Sequence, residues 1–393
     1  MVFRLTSKEK IAAFIRVAGG GLVIFSGANI YSGNEKFYDN VVMPLVRLID
    51  PETAHNLAIA AAKFDFISNG AYDDPMRLKS TVWGLNFSNP LGIAAGFDKQ
   101  GEAVDGLHKI GFGFVEVGSV TPVPQDGNTK PRVFRLTEDK AVINRYGFNS
   151  DGHQAVFDRL QNTKSHTDFT GIIGVNLGKN KTTPGHVQDY IDGIEKFAEV
   201  ADYFVINISS PNTPGLRALQ DKSHLEELIS KINMAFEGLA RKPPLLVKLA
   251  PDLSEQERQD IADVINSSKC KIDGLVISNT TIQRSNLTSF HREETGGLSG
   301  APLTHLSTAM IGDMYRRTNG KVPIIGVGGI FTGEDAYQKI KAGASLVQIY
   351  TSYIYHGPPI VKRIKKELNE LLIKDGYTSV VDAIGKDSIE SKT

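Results

Sequence analysis

Polar residues recur in this chain at eight points, each just after a short apolar run. In order they are Gly96 to Lys99, Ser119, Asn176, Asn207 to Asn212, Lys248, Asn279 to Thr281, Gly328-Gly329 and Tyr350-Thr351. Amides and hydroxyls both donate and accept hydrogen bonds, and lysines such as Lys99 and Lys248 can neutralise a carboxylate or a phosphate. One Asn after a strand is ordinarily a turn former. A whole series of such endings on one rim reads instead as a ligand site. Glycine is abundant, at 38 residues. Gly326-Val-Gly-Gly329 closes the seventh run and Ala342-Gly-Ala-Ser345 precedes the eighth. In a barrel, loops at those two strands commonly hold phosphate through backbone N–H groups, so a phosphorylated cofactor or substrate is expected there.

Composition narrows the chemistry. Lys plus Arg total 44 and Asp plus Glu total 44, a formal net charge of zero that argues against a nucleic-acid partner. The one cysteine, Cys270, excludes a disulfide framework, a cysteine-rich zinc site and an iron–sulfur cluster. With 41% hydrophobic and 22% charged residues over 393, the chain is globular rather than disordered.

The elements that must position these residues alternate in type. Short β-branched runs fall at 91–95, 114–118, 171–176, 203–207, 245–249, 274–278, 323–327 and 346–350. Amphipathic stretches lie between them at 187–201, 223–240, 254–267, 303–318 and 334–341, and a last helix is expected at 358–374. Near-continuous hydrophobic strands are expected where both faces of a sheet are covered. The pattern predicts an α/β fold, a (β/α)8 TIM barrel over 75–375, with a doubly wound sheet as the lesser option.

The N-terminal part differs. Residues 1–34 carry Arg4, Lys8, Lys10 and Arg16 against Glu9, followed by a weakly polar stretch at 17–31. That pattern reads either as a disordered or cleaved leader or as a basic targeting segment and then a short membrane anchor, short because a core of about 15 residues falls below the roughly 20 needed for a comfortable span. Two amphipathic helices follow in a small domain at 35–70. In the first, at 37–49, Phe37, Val41, Leu45 and Ile49 share a face. The second has Asp50 as N-cap and Pro51 at its start, runs to about Ile67, and is lined by Ala54, Leu57, Ala58, Ala61 and Phe64. Such helices pack on the following domain or form an apolar mouth on a membrane. Residues 376–393 read as a polar tail.

Seven segments together resemble the dihydroorotate dehydrogenase family, in its membrane-associated, quinone-using class. They are Ala94-Ala-Gly-Phe-Asp-Lys99, Gly118-Ser-Val-Thr-Pro122, Asn144-Arg-Tyr-Gly-Phe-Asn149, Asn176-Leu-Gly-Lys-Asn-Lys181, Asn207-Ile-Ser-Ser-Pro-Asn-Thr213, Gly296-Gly-Leu-Ser-Gly300 and Gly326-Val-Gly-Gly329. The resemblance covers roughly residues 35–375 and implies oxidation of dihydroorotate to orotate on FMN, in de novo pyrimidine (UMP) biosynthesis. It implies that Ser210 is the base at C5 while hydride leaves C6 for the flavin. A free serine is a poor base and needs a relay in a closed pocket. Soluble relatives carry cysteine at that position. Here Cys270 lies about 60 residues away, so the count of one cysteine excludes that class.

By the same resemblance, Lys248 sits beside the flavin N1 edge and is catalytic with Ser210. The FMN contacts implied are Ala94, Ala95, Gly96, Ser119, Asn176, Asn207, Lys248, Ser278, Gly300, Gly329, Tyr350 and Thr351. Ser278 departs from an expected threonine but keeps the hydroxyl. Substrate contacts implied are Lys99, Asn144, Tyr146, Gly147, Phe148, Asn207, Asn212, Asn279 and Thr280, with the loop at roughly 121–152 long enough to be a lid. The helical domain is implied to form a tunnel for ubiquinone, with His55, Arg135 and Tyr350 at its inner end. Arg47 departs from an expected neutral amide, in a helix one residue shorter than expected. The implied location is the mitochondrial inner membrane, in contact with lipid, with no obligate protein partner and no metal. Other functional readings are a non-redox phosphate-binding barrel enzyme and a membrane-tethered scaffold that has lost catalysis.

Overall fold

Eight parallel strands hydrogen-bond in sequence order and close on themselves: β1 (Leu91–Ile93), β2 (Phe114–Val120), β3 (Ile172–Leu177), β4 (Tyr203–Asn207), β5 (Leu245–Leu249), β6 (Gly274–Ile277), β7 (Ile324–Val327) and β8 (Ala344–Ile349). Closure comes from β8 on β1, where Val347 pairs with Leu91. The computed structural model of the chain describes residues 6–66, 72–185 and 187–390. Nearly every strand residue is buried, because helices cover the outside and side chains fill the inside. Phe114 and Tyr203 fill the barrel floor with Phe87, which comes from a hairpin of Ser80–Val82 and Leu85–Phe87 beneath it. Gly92 and Gly174 leave the room those rings occupy, since a Cβ at either would meet the Phe114 or Tyr203 ring.

The outer helices are α3 (Val104–Ile110), α4 (Gly152–Ser165), α5 (Gln188–Phe197), α6 (Lys222–Glu237), α7 (Glu255–Asn266), α8 (Thr304–Arg317), α9 (Gly333–Ala342), the short α10 (Thr351–His356) and α11 (Pro359–Lys374). Local chemistry sets several starts. Ser254 caps α7 and Thr332 caps α9, each in a box with the acid three residues on. The pattern at 254–267 and 334–341 is therefore realised within a residue. Three outer helices, α3, α4 and the short α10, had no counterpart among the expected stretches. The first, α3, is only 7 residues long, and α4 buries a thin apolar line of Val156 and Leu160.

Before the barrel, α1 (Ser7–Tyr31) is one continuous helix, begun by a Thr6–Glu9 capping box. It is long and apolar enough to cross a membrane, and none of its residues is buried. At 1.5 Å per residue its 25 residues span about 37 Å. The apolar helix is thus longer than the 15-residue core expected, because Gly19, Gly20, Gly21 and Gly27 do not interrupt it. Arg4 lies outside the described residues.

The next helical stretch also departs from expectation. Residues 35–46 comprise Glu35–Phe37, a π-helical turn Tyr38–Val42 and Met43–Val46. Pro44 has no N–H to offer Asn40, and the ladder widens to the Met43 N–H on the Tyr38 carbonyl. The extra residue per turn rotates the face. Tyr38 and Met43 are buried, while Val41, Leu45 and Ile49 of the expected stripe are exposed. The helix also stops at Val46 rather than 49. In α2 (Pro51–Lys63), Asp50 Oδ1 accepts from the Thr53 N–H at 2.9 Å, as expected. This helix ends short of Ile67, which lies outside the described residues, and leaves Phe64 exposed.

The segment at 121–152, expected as a loop long enough to be a lid, carries strands Val133–Leu136 and Ala141–Asn144, which join Gly297–Gly300 in an antiparallel sheet. After α11, the expected polar tail is packed: Val380 and Ala383 are fully buried, and Ser388 Oγ donates to the Ala342 carbonyl at 2.8 Å.

Candidate active site

Strand ends place the site. At the carboxyl rim, one cavity is walled by Ala94, Ala95, Gly96, Ser119, Asn207, Lys248, Ser278, Gly300, Gly329, Tyr350 and Thr351. The same cavity meets Lys99, Asn144, Tyr146, Gly147, Phe148, Ser210, Asn212, Asn279 and Thr280. Residues scattered over some 260 positions thus converge. Of the expected cofactor contacts, Asn176 alone stands one layer back. Its Oδ1 takes the Ser119 hydroxyl in a short hydrogen bond, and Asn207 Nδ2 reaches Ser119 Oγ at 2.8 Å.

Beneath this rim lies a buried polar plate that strand patterning concealed. Glu116 on β2 is fully buried and accepts from Asn176 Nδ2 at 2.8 Å, Gln348 Nε2 at 2.7 Å and Tyr203 OH at 3.4 Å. Lys248 Nζ stands 4.0 Å from Glu116 Oε1. Burial pulls the Lys248 pKa down, and the Glu116 carboxylate opposes that shift. Gln348 gives its amide N–H to Glu116, and its buried Oε1, in a residue that borders the cavity, has no partner. Ser352 Oγ and Asn149 Oδ1, also at the cavity wall, are likewise buried and unsatisfied. Buried polar atoms left without partners are rare and call for an occupant. An orphan amide oxygen, a nearby ammonium and a glycine-lined wall match the needs of a flavin's polar ring edge and phosphate.

On the other side of the cavity, the Ser210 loop is pinned from two directions. Its Oγ accepts from the Asn212 N–H at 3.3 Å, and Asn212 Nδ2 reaches the Asn144 carbonyl at 3.1 Å. Arg217 clamps the loop from behind, binding the Ser209 carbonyl at 3.1 Å, the Thr280 carbonyl at 2.9 Å and Asp252 at 2.8 Å. Sequence reading missed Arg217, Glu116 and Gln348. Charge or amide inside the apolar runs 114–118 and 346–350 was the available signal for the last two. Phe148 adopts φ 56°, a strained setting for a bulky residue, and its carbonyl is held by Gln125 Nε2 at 2.8 Å. Lys99 Nζ sits 3.8 Å from the Tyr146 ring centroid. Burial lowers its pKa to about 7, against the pull of Glu52.

A second, largely apolar cavity runs between the helical stretch and α2, lined by Tyr38, Val42, Val46, Ala54, Leu57 and Ala58 among others. His55, Arg135 and Tyr350 all border it, as expected. His55 Nε2 lies 2.6 Å from the Phe97 carbonyl and Nδ1 3.3 Å from Tyr146 OH, and burial lowers its pKa to about 3, so it stays neutral. Arg135 donates to the Arg47 and Ile49 carbonyls at 3.1 and 2.7 Å, and Arg47 to the Tyr355 carbonyl at 3.2 Å. A two-pronged Arg132–Glu52 pair, at 2.8 and 3.2 Å, docks α2 on the sheet beside the cavity. Both cavities touch Asn144, Tyr146, Ser299, Tyr350 and Thr351. Cys270 is buried between α6 and the loop before β6, away from either.

A (β/α)8 barrel with a polar rim site, backed by a second apolar cavity under an N-terminal apolar helix, defines a barrel enzyme of two-chambered design. Residues 77–372 match the family profile described as dihydroorotate dehydrogenase. The mouse "dihydroorotate dehydrogenase (quinone), mitochondrial" is 51% identical over 395 residues, covering 98% of this chain and 99% of that protein. The rice protein of the same name is 48% identical over 93% of this chain and 85% of its own. A "dihydroorotate dehydrogenase (quinone)" of Parvibaculum lavamentivorans is 51% identical over 88% of this chain and 97% of its own. Among solved structures, ligand-free DHODH from Eimeria tenella matches with a TM-score of 0.83 at 46% identity, over 86% of this chain and 99% of that one. Its ferulenol complex matches with a TM-score of 0.82 at 45% identity, over 86% and 96%. The chain belongs to the dihydroorotate dehydrogenase family, and the non-redox and scaffold readings are not favoured.

Proposed function

We propose that this chain oxidises dihydroorotate to orotate on FMN and is reoxidised by ubiquinone, in ping-pong fashion, as the redox step of de novo pyrimidine (UMP) synthesis. The observation that carries this reading is the shared wall: Tyr350, Thr351, Asn144 and Tyr146 border both the polar and the apolar cavity, so one bound group can serve two chambers.

Bound FMN supplies a hydride acceptor for the substrate and an electron donor for the quinone. The chain's own residues do the rest. Asn144, Asn212, Asn279 and Thr280 offer the donors and acceptors that a pyrimidine imide needs, and Lys99 offers charge to the carboxylate. Ser210 Oγ takes the C5 proton as hydride leaves C6 and the C5–C6 double bond forms. The two pinned neighbours of Ser210 hold it in place for that transfer. Lys248 supports negative charge on the reduced cofactor, and the Glu116 carboxylate 4.0 Å away opposes the downward pull of burial on that lysine's pKa. Ser119, Asn207, Ser278, Ala94, Ala95 and Gly96 wall the ring site, Gly300 and Gly329 the phosphate, and Asn176 steadies Ser119 from behind. In the apolar chamber, neutral His55 with Arg135 and Tyr350 receives the quinone head. Helix α1 tethers the enzyme to the mitochondrial inner membrane, supported by its exposed apolar surface and by the mitochondrial names of the mouse and rice relatives.

The test is two half-reactions on purified protein under anaerobic conditions. Dihydroorotate should bleach the flavin's visible absorbance, and a ubiquinone analogue should restore it. Absence of a flavin, or a flavin that dihydroorotate leaves oxidised, refutes the proposal.

A further inference from the structure

Lys339 is fully buried on α9 and has no part in the chemistry above. Its Nζ donates to Ser307 Oγ at 2.6 Å, Thr308 Oγ1 at 2.8 Å and the Thr304 carbonyl at 3.3 Å, all in the first two turns of α8. Among the described residues, no carboxylate lies within ion-pair distance of it. Asp335, one turn earlier, spends its carboxylate on the Phe331 and Thr332 N–H groups, each at 2.9 Å. A cation at the N-terminal end of a helix is on the wrong end of the dipole. A buried one without a counter-charge is costlier still, and burial accordingly lowers the Lys339 pKa to about 7.

What this lysine touches suggests its purpose. Ser307 Oγ, which accepts from the Lys339 ammonium, donates in turn to the Gly328 carbonyl at 3.0 Å. Thr304 Oγ1 donates to the Gly329 carbonyl at 2.8 Å. Both carbonyls of the glycine turn, which lines the cavity, are therefore held by hydroxyls of α8. Gly329, at φ 72°, tolerates no side chain there, because a Cβ would overlap Thr304. Ser352, whose buried Oγ has no partner, belongs to the wall of the same cavity.

We propose that Lys339 is a positioning residue for the cofactor's phosphate: through Ser307 it fixes the Gly328-Gly329 turn and supplies the positive charge behind it. A phosphate dianion in the glycine-lined wall is the counter-charge the lysine lacks. This inference rests on the FMN reading above and concerns the phosphate alone, not the ring.

The experiment strips flavin from the full-length protein and measures dissociation constants for FMN and for riboflavin, which lacks the phosphate, by quenching of flavin fluorescence. Lys339→Met should weaken FMN by about tenfold or more, the scale of a lost charge-assisted interaction, and leave riboflavin within about threefold. Ser307→Ala breaks the relay while keeping the lysine and should reduce the FMN preference in the same direction by less. It also serves if the lysine variant does not fold. Equal weakening of both flavins, or an unchanged FMN-to-riboflavin ratio in both variants, overturns the proposal. A wild-type chain that binds riboflavin as tightly as FMN overturns it as well. A wild-type chain that binds neither overturns the functional reading itself.

Discussion

Glu116→Ala would remove the acceptor shared by Asn176, Gln348 and Tyr203, and with it the carboxylate 4.0 Å from the Lys248 ammonium. Two unit charges at about 4 Å attract by roughly 4 kcal/mol at an effective dielectric near 20. Part of that offsets the cost of burying both, but truncating one partner leaves the other buried and unpaired, typically at a cost of about 3–5 kcal/mol. The three orphaned donors push in the same direction, while water entering the vacated space relieves some of the loss. A net destabilisation of about 4 kcal/mol is expected. With an unfolding entropy of roughly 2.1 cal/mol/K per residue over the 393-residue chain, that lowers the melting temperature by about 5 °C. Glu116→Gln keeps the volume and one acceptor but turns an amide N–H toward a donor, and should lose about 2 kcal/mol, half as much. Thermal unfolding in detergent, on flavin-stripped protein so that ligand linkage does not enter, reads these shifts. Adding Lys248→Met to Glu116→Gln removes the stranded charge and should return part of the stability, a coupling of about 1–3 kcal/mol in the double-mutant cycle. Strictly additive effects, or a Glu116→Ala protein melting within about 1 °C of the wild type, would show that the carboxylate does not hold the plate together.

Two further outcomes follow from the same site. Ser210→Ala should slow flavin reduction by dihydroorotate by about 10²–10⁴-fold, the usual range for a general base, while flavin stays bound; a stopped-flow trace of near-normal rate contradicts the assignment. Lys99, whose pKa burial lowers to about 7, is charged below that pH and neutral above it. Affinity for the anionic product orotate should therefore fall about tenfold per pH unit above 7, and Lys99→Met should flatten the profile at its weak end. An orotate titration independent of pH between 6 and 8.5 in the wild type goes against it.

The barrel was legible because both faces of its strands are covered, so apolar runs and the polar endings after them stand out without any alignment of homologues. All of the substrate contacts implied by the resemblance line one cavity, and of the implied cofactor contacts Asn176 alone is set back from it. What stayed hidden has specific physical causes. Helical periodicity assumes a constant turn, and the π turn at Tyr38–Val42 breaks that assumption ahead of Pro44, so Val41 and Leu45 of the expected stripe are exposed instead of packed into the fold. Glu116 and Gln348 were overlooked for the opposite reason. They lie within apolar runs, where a pattern reading treats a polar residue as noise, although an interior strand position of a closed barrel gives it no route to solvent. A buried carboxylate there must be satisfied by other interior groups. Asn176, Tyr203, Gln348 and Lys248 come from four other strands or their ends, and all of them face Glu116. The strand interior therefore carries information about chemistry that strand ends do not: an acid inside a barrel run marks the layer that orients the amides above it, and Gln348, its N–H given to Glu116 and its buried Oε1 left without a partner, is the visible consequence.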